Sequence, residues 1–138
     1  MSDDKVFPRQ MSKRCDVLIV DDDHLVVETV KEWVLESGRA AYSADSGIQA
    51  LGILRSHPKI QVFLTDIRMP VMDGNELIRH AIKLRPDLKI LVMTGNLDDV
   101  AIQDYFEIIE KPFNSERLAE VLTRACGDHG SPPSRPRE

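Results

Sequence analysis

At 138 residues, with 42% hydrophobic and 30% charged side chains, the chain has the size and balance of one globular domain, far from disordered or fibrous compositions. A formal net charge of -5, from 18 basic and 23 acidic residues, argues against a nucleic-acid-binding surface. No apolar run approaches the roughly 20 residues of a membrane span, and the start is polar rather than signal-like, so a cytoplasmic protein without membrane contact is expected.

Residues 1–14 show no periodicity and mix charge with Pro8, which predicts a flexible extension. An apolar run at 17–20 then leads straight into Asp21, Asp22 and Asp23. Helical spacing follows in Val26, Val30, Trp33 and Val34. A weaker strand is expected at 40–44, and Ser46 followed by Gln49 fits a capping box for a helix carrying Ile48, Leu51 and Leu54. The run at 62–64 continues through Thr65 into Asp66, and Met69, Pro70, Asp73 and Gly74 form a turn before a helix with Leu77, Ile78, Ala81 and Ile82. Residues 90–93 form the fourth strand, ending at Thr94-Gly95, and 106–109 a weaker fifth, ending at Lys111-Pro112-Phe113. Asn114 is a good cap for a last helix with Leu118, Val121 and Leu122. Beyond it, 127–138 contains Gly127, Gly130, Pro132, Pro133 and Pro136, which predicts a disordered, Pro-rich tail.

The first, third and fourth strands are continuously apolar, as strands buried on both faces of a parallel sheet are. Strand then helix, five times over residues 15–126, predicts a doubly wound α/β domain with helices on both faces. Ligands of such a sheet bind beyond the carboxyl ends of the strands. Cys15 and Cys126, far apart and without metal-ligand spacing, are expected to be free thiols. His24, His57, His80 and His129 are scattered and read as surface residues.

Acid therefore gathers at two strand ends, a hydroxyl stands at a third and an ammonium at a fourth. Two carboxylates about 4 Å apart at an effective dielectric near 20 repel by roughly 4 kcal/mol, so Asp22 packed beside Asp66 calls for a cation or a raised pKa. Mg²⁺ suits such oxygen ligands, whereas no twelve-residue EF-hand loop is present for calcium. A carboxylate nucleophile, a metal, a hydroxyl donor and a cation are together what an acyl phosphate needs.

Through Val-Leu-Ile-Val-Asp-Asp-Asp at 17–23, Leu-Thr-Asp-Ile-Arg-Met-Pro-Val-Met-Asp-Gly at 64–74, Met-Thr-Gly at 93–95 and Lys-Pro-Phe at 111–113, the sequence resembles the receiver domains of two-component response regulators. The resemblance implies a flavodoxin-like sheet in the order 2-1-3-4-5. It implies that Asp66 accepts a phosphoryl group from a histidine kinase or histidine phosphotransfer protein. Asp22 would be a direct Mg²⁺ ligand, Asp21 would act through metal-bound water, Asp23 would be less essential, and the Arg68 carbonyl would complete the set with its side chain facing the pocket mouth. Thr94 and Lys111 would each hold a phosphoryl oxygen, and the Lys111-Pro112 peptide would be cis. Such a domain is a signalling phosphoacceptor rather than an enzyme in the ordinary sense, here expected to stand alone as a monomer or weak dimer.

Two features depart from the family pattern. Only 17 positions separate Thr94 from Lys111, which predicts a short or irregular fourth helix. Ile108 occupies the place where the family commonly has a switching Tyr or Phe, so Tyr105 and Phe106 are expected to pack instead. Alternative readings are a phosphorylation-independent binding module, or a piece of a larger regulator or hybrid kinase. A haloacid-dehalogenase-type phosphatase would need a second acid at the position of Arg68, and three acids after the first strand would repel the phosphate of a flavodoxin cofactor.

Overall fold

The computed structural model describes residues 15–127, so the extension expected at 1–14 and the tail from 128 onward lie outside the described residues. Five parallel strands, β1 (Asp16–Val20), β2 (Ala40–Ala44), β3 (Ile60–Asp66), β4 (Lys89–Thr94) and β5 (Glu107–Glu110), form one sheet in the order 2-1-3-4-5. Between and after them run helices α1 (His24–Glu36), α2 (Gly47–Ser56), α3 (Gly74–Leu84) and α4 (Ser115–Cys126).

The continuous apolar runs are explained by burial on both faces of the sheet. Leu18, Val20, Phe63, Ile90 and Val92 point to one side, where Ala50, Leu51 and Leu54 of α2 and Leu77, Ile78 and Ala81 of α3 cover them. Val17, Ile19, Val62, Leu64, Leu91 and Met93 point to the other, under Val30 and Val34 of α1 and Leu118, Val121 and Leu122 of α4. A strand with both alternating faces covered leaves no position for a polar residue until it ends.

Local signals set the helix starts. Asp23 caps α1 by accepting from the N–H groups of Leu25 and Val26, Asp73 caps α3 through Glu76, and Asn114 caps α4 through Arg117. Ser46 accepts from the Gln49 N–H at 3.2 Å, while the Gln49 side chain reaches back to the N–H of Asp45 rather than to that of Ser46. Helix α4 stops at Gly127, whose φ of +67° is the left-handed conformation a glycine supplies without strain.

Two expectations are corrected. Strand and helix do not alternate five times: among the described residues β4 and β5 are joined by a single 3₁₀ turn, Leu97–Asp99, and extended chain. Returning along β4, roughly 20 Å long at about 3.4 Å per residue, takes a helix of about 13 residues at 1.5 Å each. Residues 95–106 cannot supply that and two turns as well. Nor are the cysteines free, because Cys15 and Cys126 form a disulfide with Cα atoms 5.9 Å apart. Cys15 immediately precedes β1, and α4 runs back along the sheet face so that its last residue arrives there. A separation of 111 residues conceals this in the sequence.

Gly74 closes the turn after β3, donating its N–H to the Ile67 carbonyl at 2.8 Å. A Cβ there would lie 2.2 Å from the Asp66 carbonyl oxygen and 2.8 Å from the Ile67 Cα, both backbone atoms that cannot yield. Gly74→Ala is expected to lower unfolding stability by about 2–4 kcal/mol. Gly52→Ala, in mid-α2 with nothing within 4 Å of its Cβ, should be neutral or stabilising by about 0.5–1 kcal/mol. Urea midpoints of the two variants test this, and equal midpoints would refute the steric account.

Candidate functional site

The parallel register builds the site. Val20 of β1 lies beside Thr65 of β3, so Asp21 and Asp66, one residue further along each, emerge together at the carboxyl edge of the sheet. Asp66 is beside Met93 of β4, which carries Thr94 to the same edge, and Thr94 is beside Glu110 of β5, which carries Lys111 there. This edge flanks the switch point, where β1 stands between β2 and β3.

Carboxylate oxygens of Asp21, Asp22 and Asp66 all lie within 4.8 Å of one another. Asp21 and Asp66 are buried, at 1% and 7% exposure, while Asp22 faces solvent. The Lys111 ammonium sits 3.1 Å from Asp21 Oδ2 and 3.2 Å from Asp66 Oδ1, bridging the two buried acids. The Lys111-Pro112 peptide is cis, as expected. Burial, and then the neighbouring Asp21 charge, push the Asp66 carboxyl above its ordinary value against the pull of Lys111. Burial draws the Lys111 ammonium down, but the attraction of Asp66 and Asp21 and its hydrogen bonds to both prevail, and the net displacement is upward.

Asp23, the third acid, turns out to be the N-cap of α1. Asp21 Oδ1 in turn accepts from the Asp23 N–H at 3.0 Å, which fixes its carboxylate. Thr94 is buried, and its hydroxyl both donates to the Asn96 carbonyl at 3.0 Å and accepts from the Asn96 N–H at 3.1 Å. The Arg68 side chain is largely exposed, and its Nε–H donates to Asp99 Oδ2 at 2.6 Å. Asp99 thus pairs with Arg68, while Asn96 caps the 3₁₀ turn.

Sequence reasoning missed Asn75. It is 8% exposed in the first turn of α3, donates to the Asp99 carbonyl at 2.9 Å, and accepts from the N–H groups of Ala101 and Ile102. The β4–β5 connector is therefore pinned from α3, and only its unusual burial for an amide distinguishes Asn75. Trp33 packs edge-on against Phe113 with ring centroids 6.1 Å apart, and Tyr105 packs against the core. Phe106 is 39% exposed, with the Lys89 ammonium 5.4 Å from its ring centroid. His57 lies against Tyr42.

Comparison with known proteins accords with this geometry. The response regulator receiver domain family matches residues 17–123, and the chain belongs to that family. It is 35% identical over 120 residues to the C4-dicarboxylate transport transcriptional regulatory protein DctD of Rhizobium meliloti, covering 83% of this chain and 26% of the relative. It is 32% identical over 114 residues to the response regulator receiver protein CpdR of Brucella abortus, covering 78% and 93%. The chain thus spans about a quarter of DctD but most of CpdR. Among solved structures, a response regulator receiver domain protein from Clostridium thermocellum superposes with a TM-score of 0.77 at 26% identity, covering 82% of this chain and 94% of that one. The chemotaxis protein CheY4 of Vibrio cholerae gives 0.76 at 25% identity, covering 81% and 98%.

An acid whose folded pKa is raised keeps its full contribution to stability below the unfolded value, here 3.8, and loses it as pH rises through the folded value. Ionised Asp66 therefore costs stability at neutral pH. In metal-free buffer Asp66→Asn is expected to melt several degrees above the parent at pH 7, with the gap closing as pH falls toward 3.8. Thermal melts across that range check it, and a gap independent of pH would contradict the crowding.

Proposed function

We propose that this receiver domain is a Mg²⁺-dependent phosphoacceptor in a two-component or phosphorelay pathway, taking a phosphoryl group from phosphohistidine onto Asp66. The observation that carries this reading is the Lys111 ammonium held between Asp21 and Asp66 beside the exposed Asp22. A structural ion pair needs one acid per lysine. Three converging acids leave a surplus of negative charge that suits a divalent cation, and the hard oxygen donors fit Mg²⁺.

Asp22, Asp66 and the Arg68 carbonyl would hold the ion directly, and Asp21 through water. When bound, Mg²⁺ neutralises charge on the acids and on the transferred group. The Asp66 carboxylate attacks phosphorus in line, the P–N bond breaks, and the imidazole leaves with the electron pair. Lys111 stays beside Asp66 and balances charge on a phosphoryl oxygen. Thr94 donates to another oxygen once its hydroxyl leaves Asn96. Attack by water on the aspartyl phosphate then returns phosphate and resets Asp66, so the domain catalyses its own phosphorylation and dephosphorylation.

The donor would be a histidine kinase or a histidine phosphotransfer protein, and the product would control a protein contact in the cytoplasm. The relatives include the sensor kinase CckA of Brucella abortus, 29% identical over 118 residues that make up 12% of that protein. With the phosphoryl group adding about -1.5 to -2 charge units, release of Thr94 from Asn96 would loosen the start of the β4–β5 connector. The output would then travel through that connector rather than through a helix.

Incubation of the chain with acetyl phosphate should add one phosphoryl mass in Mg²⁺ and none in EDTA, and Asp66→Asn should take up none. Lys111→Gln should slow uptake by on the order of tenfold to a hundredfold while leaving the chain folded. Intact-mass spectrometry reads all four, and no mass gain under any condition would favour a phosphorylation-independent binding module.

A further inference from the structure

At the edge of the sheet opposite the acids, Cys15 and Cys126 join the start of β1 to the end of α4. The two sulfurs are unequally placed. Cys15 is sealed in the core at 1% exposure, while Cys126 is only half-buried. The Nε–H of Arg39 donates to Cys126 Sγ at 3.2 Å. Arg39 is itself set in place, since its Nη1 donates to the Ser37 hydroxyl at 2.9 Å, and that hydroxyl donates to the Val34 carbonyl at the end of α1.

We propose that Cys15 and Cys126 form a reversible thiol–disulfide site, with Cys126 as the reactive sulfur, Cys15 as its buried resolving partner and Arg39 as the cation that activates Cys126. The co-reactant is a low-molecular-weight thiol or its disulfide. In the opening direction an external thiolate attacks the accessible Cys126 Sγ, the Cys15–Cys126 bond breaks, and Cys15 leaves with the electron pair and takes a proton. A second external thiolate then attacks the outer sulfur of the mixed disulfide and releases Cys126 as a thiolate beside Arg39. Two external thiols become one external disulfide, and the protein disulfide becomes two thiols. Closing runs in reverse: Cys126 thiolate is captured by an external disulfide, and Cys15 displaces the small thiol.

Three independent features give the site direction. Exchange needs a sulfur that an external thiol can approach, and of the two cysteines only Cys126 is partly exposed. It needs a thiolate, which a neighbouring guanidinium favours and a dry apolar site disfavours. It also needs a second thiol already within bonding reach, which Cys15 just before β1 and Cys126 at the end of α4 supply, their Cα atoms 5.9 Å apart. The bond closes a loop of nearly the whole domain, so opening it releases α4, the helix that follows Lys111-Pro112 and covers one sheet face. The cysteines lie at the amino edge, away from the acids.

The test uses the full chain in glutathione buffers, followed by alkylation and intact-mass spectrometry. Excess oxidised glutathione should leave no alkylatable thiol. Excess reduced glutathione should expose two, reversibly, and lower the melting temperature by about 10 °C or more. With Cys15→Ser, one glutathione should accumulate on Cys126; with Cys126→Ser, the buried Cys15 should react at least tenfold more slowly. Arg39→Gln in the otherwise native chain should slow capture at pH 7 by about threefold, since the lost thiolate fraction is partly offset by a more nucleophilic sulfur. Equal reactivity of the two cysteines, capture unchanged in Arg39→Gln, or a bond that reduced glutathione cannot open in the folded chain would overturn the proposal.

Discussion

Like charges crowded at the end of two adjacent strands govern this molecule. Unit charges about 4 Å apart repel by roughly 4 kcal/mol at an effective dielectric near 20, and Asp21, Asp22 and Asp66 come within that range of one another. No local turn could impose such proximity; it follows from β1 and β3 being neighbours in register, which strand order 2-1-3-4-5 requires. Relief must come from positive charge. Lys111 supplies part of it from the end of β5, three strand positions from β1, or roughly 14 Å at about 4.8 Å per strand. A long, flexible side chain turned inward over the end of β4 brings its ammonium to both buried acids.

The same constraint explains what surrounds the acids. Asp66 ends a strand buried on both faces, Ile67 and Met69 beyond it still pack in the core, and the turn brings Gly74 back against the Asp66 backbone. Helix α3 thereby starts close to the site and brings Asn75 with it. The missing helix between β4 and β5 then matters little to rigidity, because three hydrogen bonds from Asn75 hold the extended connector where a helix would have packed. Arg68, one strand end away, fastens the same segment through Asp99. The connector is thus tied at both sides to the turn that follows Asp66, so a change of charge on that one residue bears on it directly.

How much of this the sequence discloses depends on whether the signal is local. Continuous apolar runs identify β1, β3 and β4 because burial on two faces leaves little room for polar residues in the middle of a strand. Capping residues mark the starts of α2, α3 and α4 because the cap hydrogen bond spans only three positions. The acids, Thr94 and Lys111 are legible because parallel topology sends every strand end to one edge. Asn75, the Arg68–Asp99 pair and the disulfide are not legible. Each joins segments 24 or more residues apart through side chains whose types are commonplace in loops and helices. The capping role of Asp23 is hidden for the opposite reason, since an acid in a motif of acids can still serve as an ordinary helix cap.

The doubly wound sheet has two edges with opposite demands. At the carboxyl edge the strands deliver polar side chains into partial water, where their charge is useful only if it remains unsatisfied enough to attract a cation or a phosphoryl group. At the amino edge Cys15 is as dry as any core residue. A covalent tie can therefore be placed at the amino edge without disturbing the acids, and it fastens the end of α4, the last helix among the described residues. Among the described residues α4 is held by its apolar stripe and by ion pairs such as those of Arg117 and Arg124 with Glu107. Exposed pairs of that kind contribute little, roughly 0–1 kcal/mol each. The bond at its far end thus adds a covalent tie to a helix otherwise held by apolar packing and by ion pairs that contribute little, and the half-buried Cys126 carries that tie.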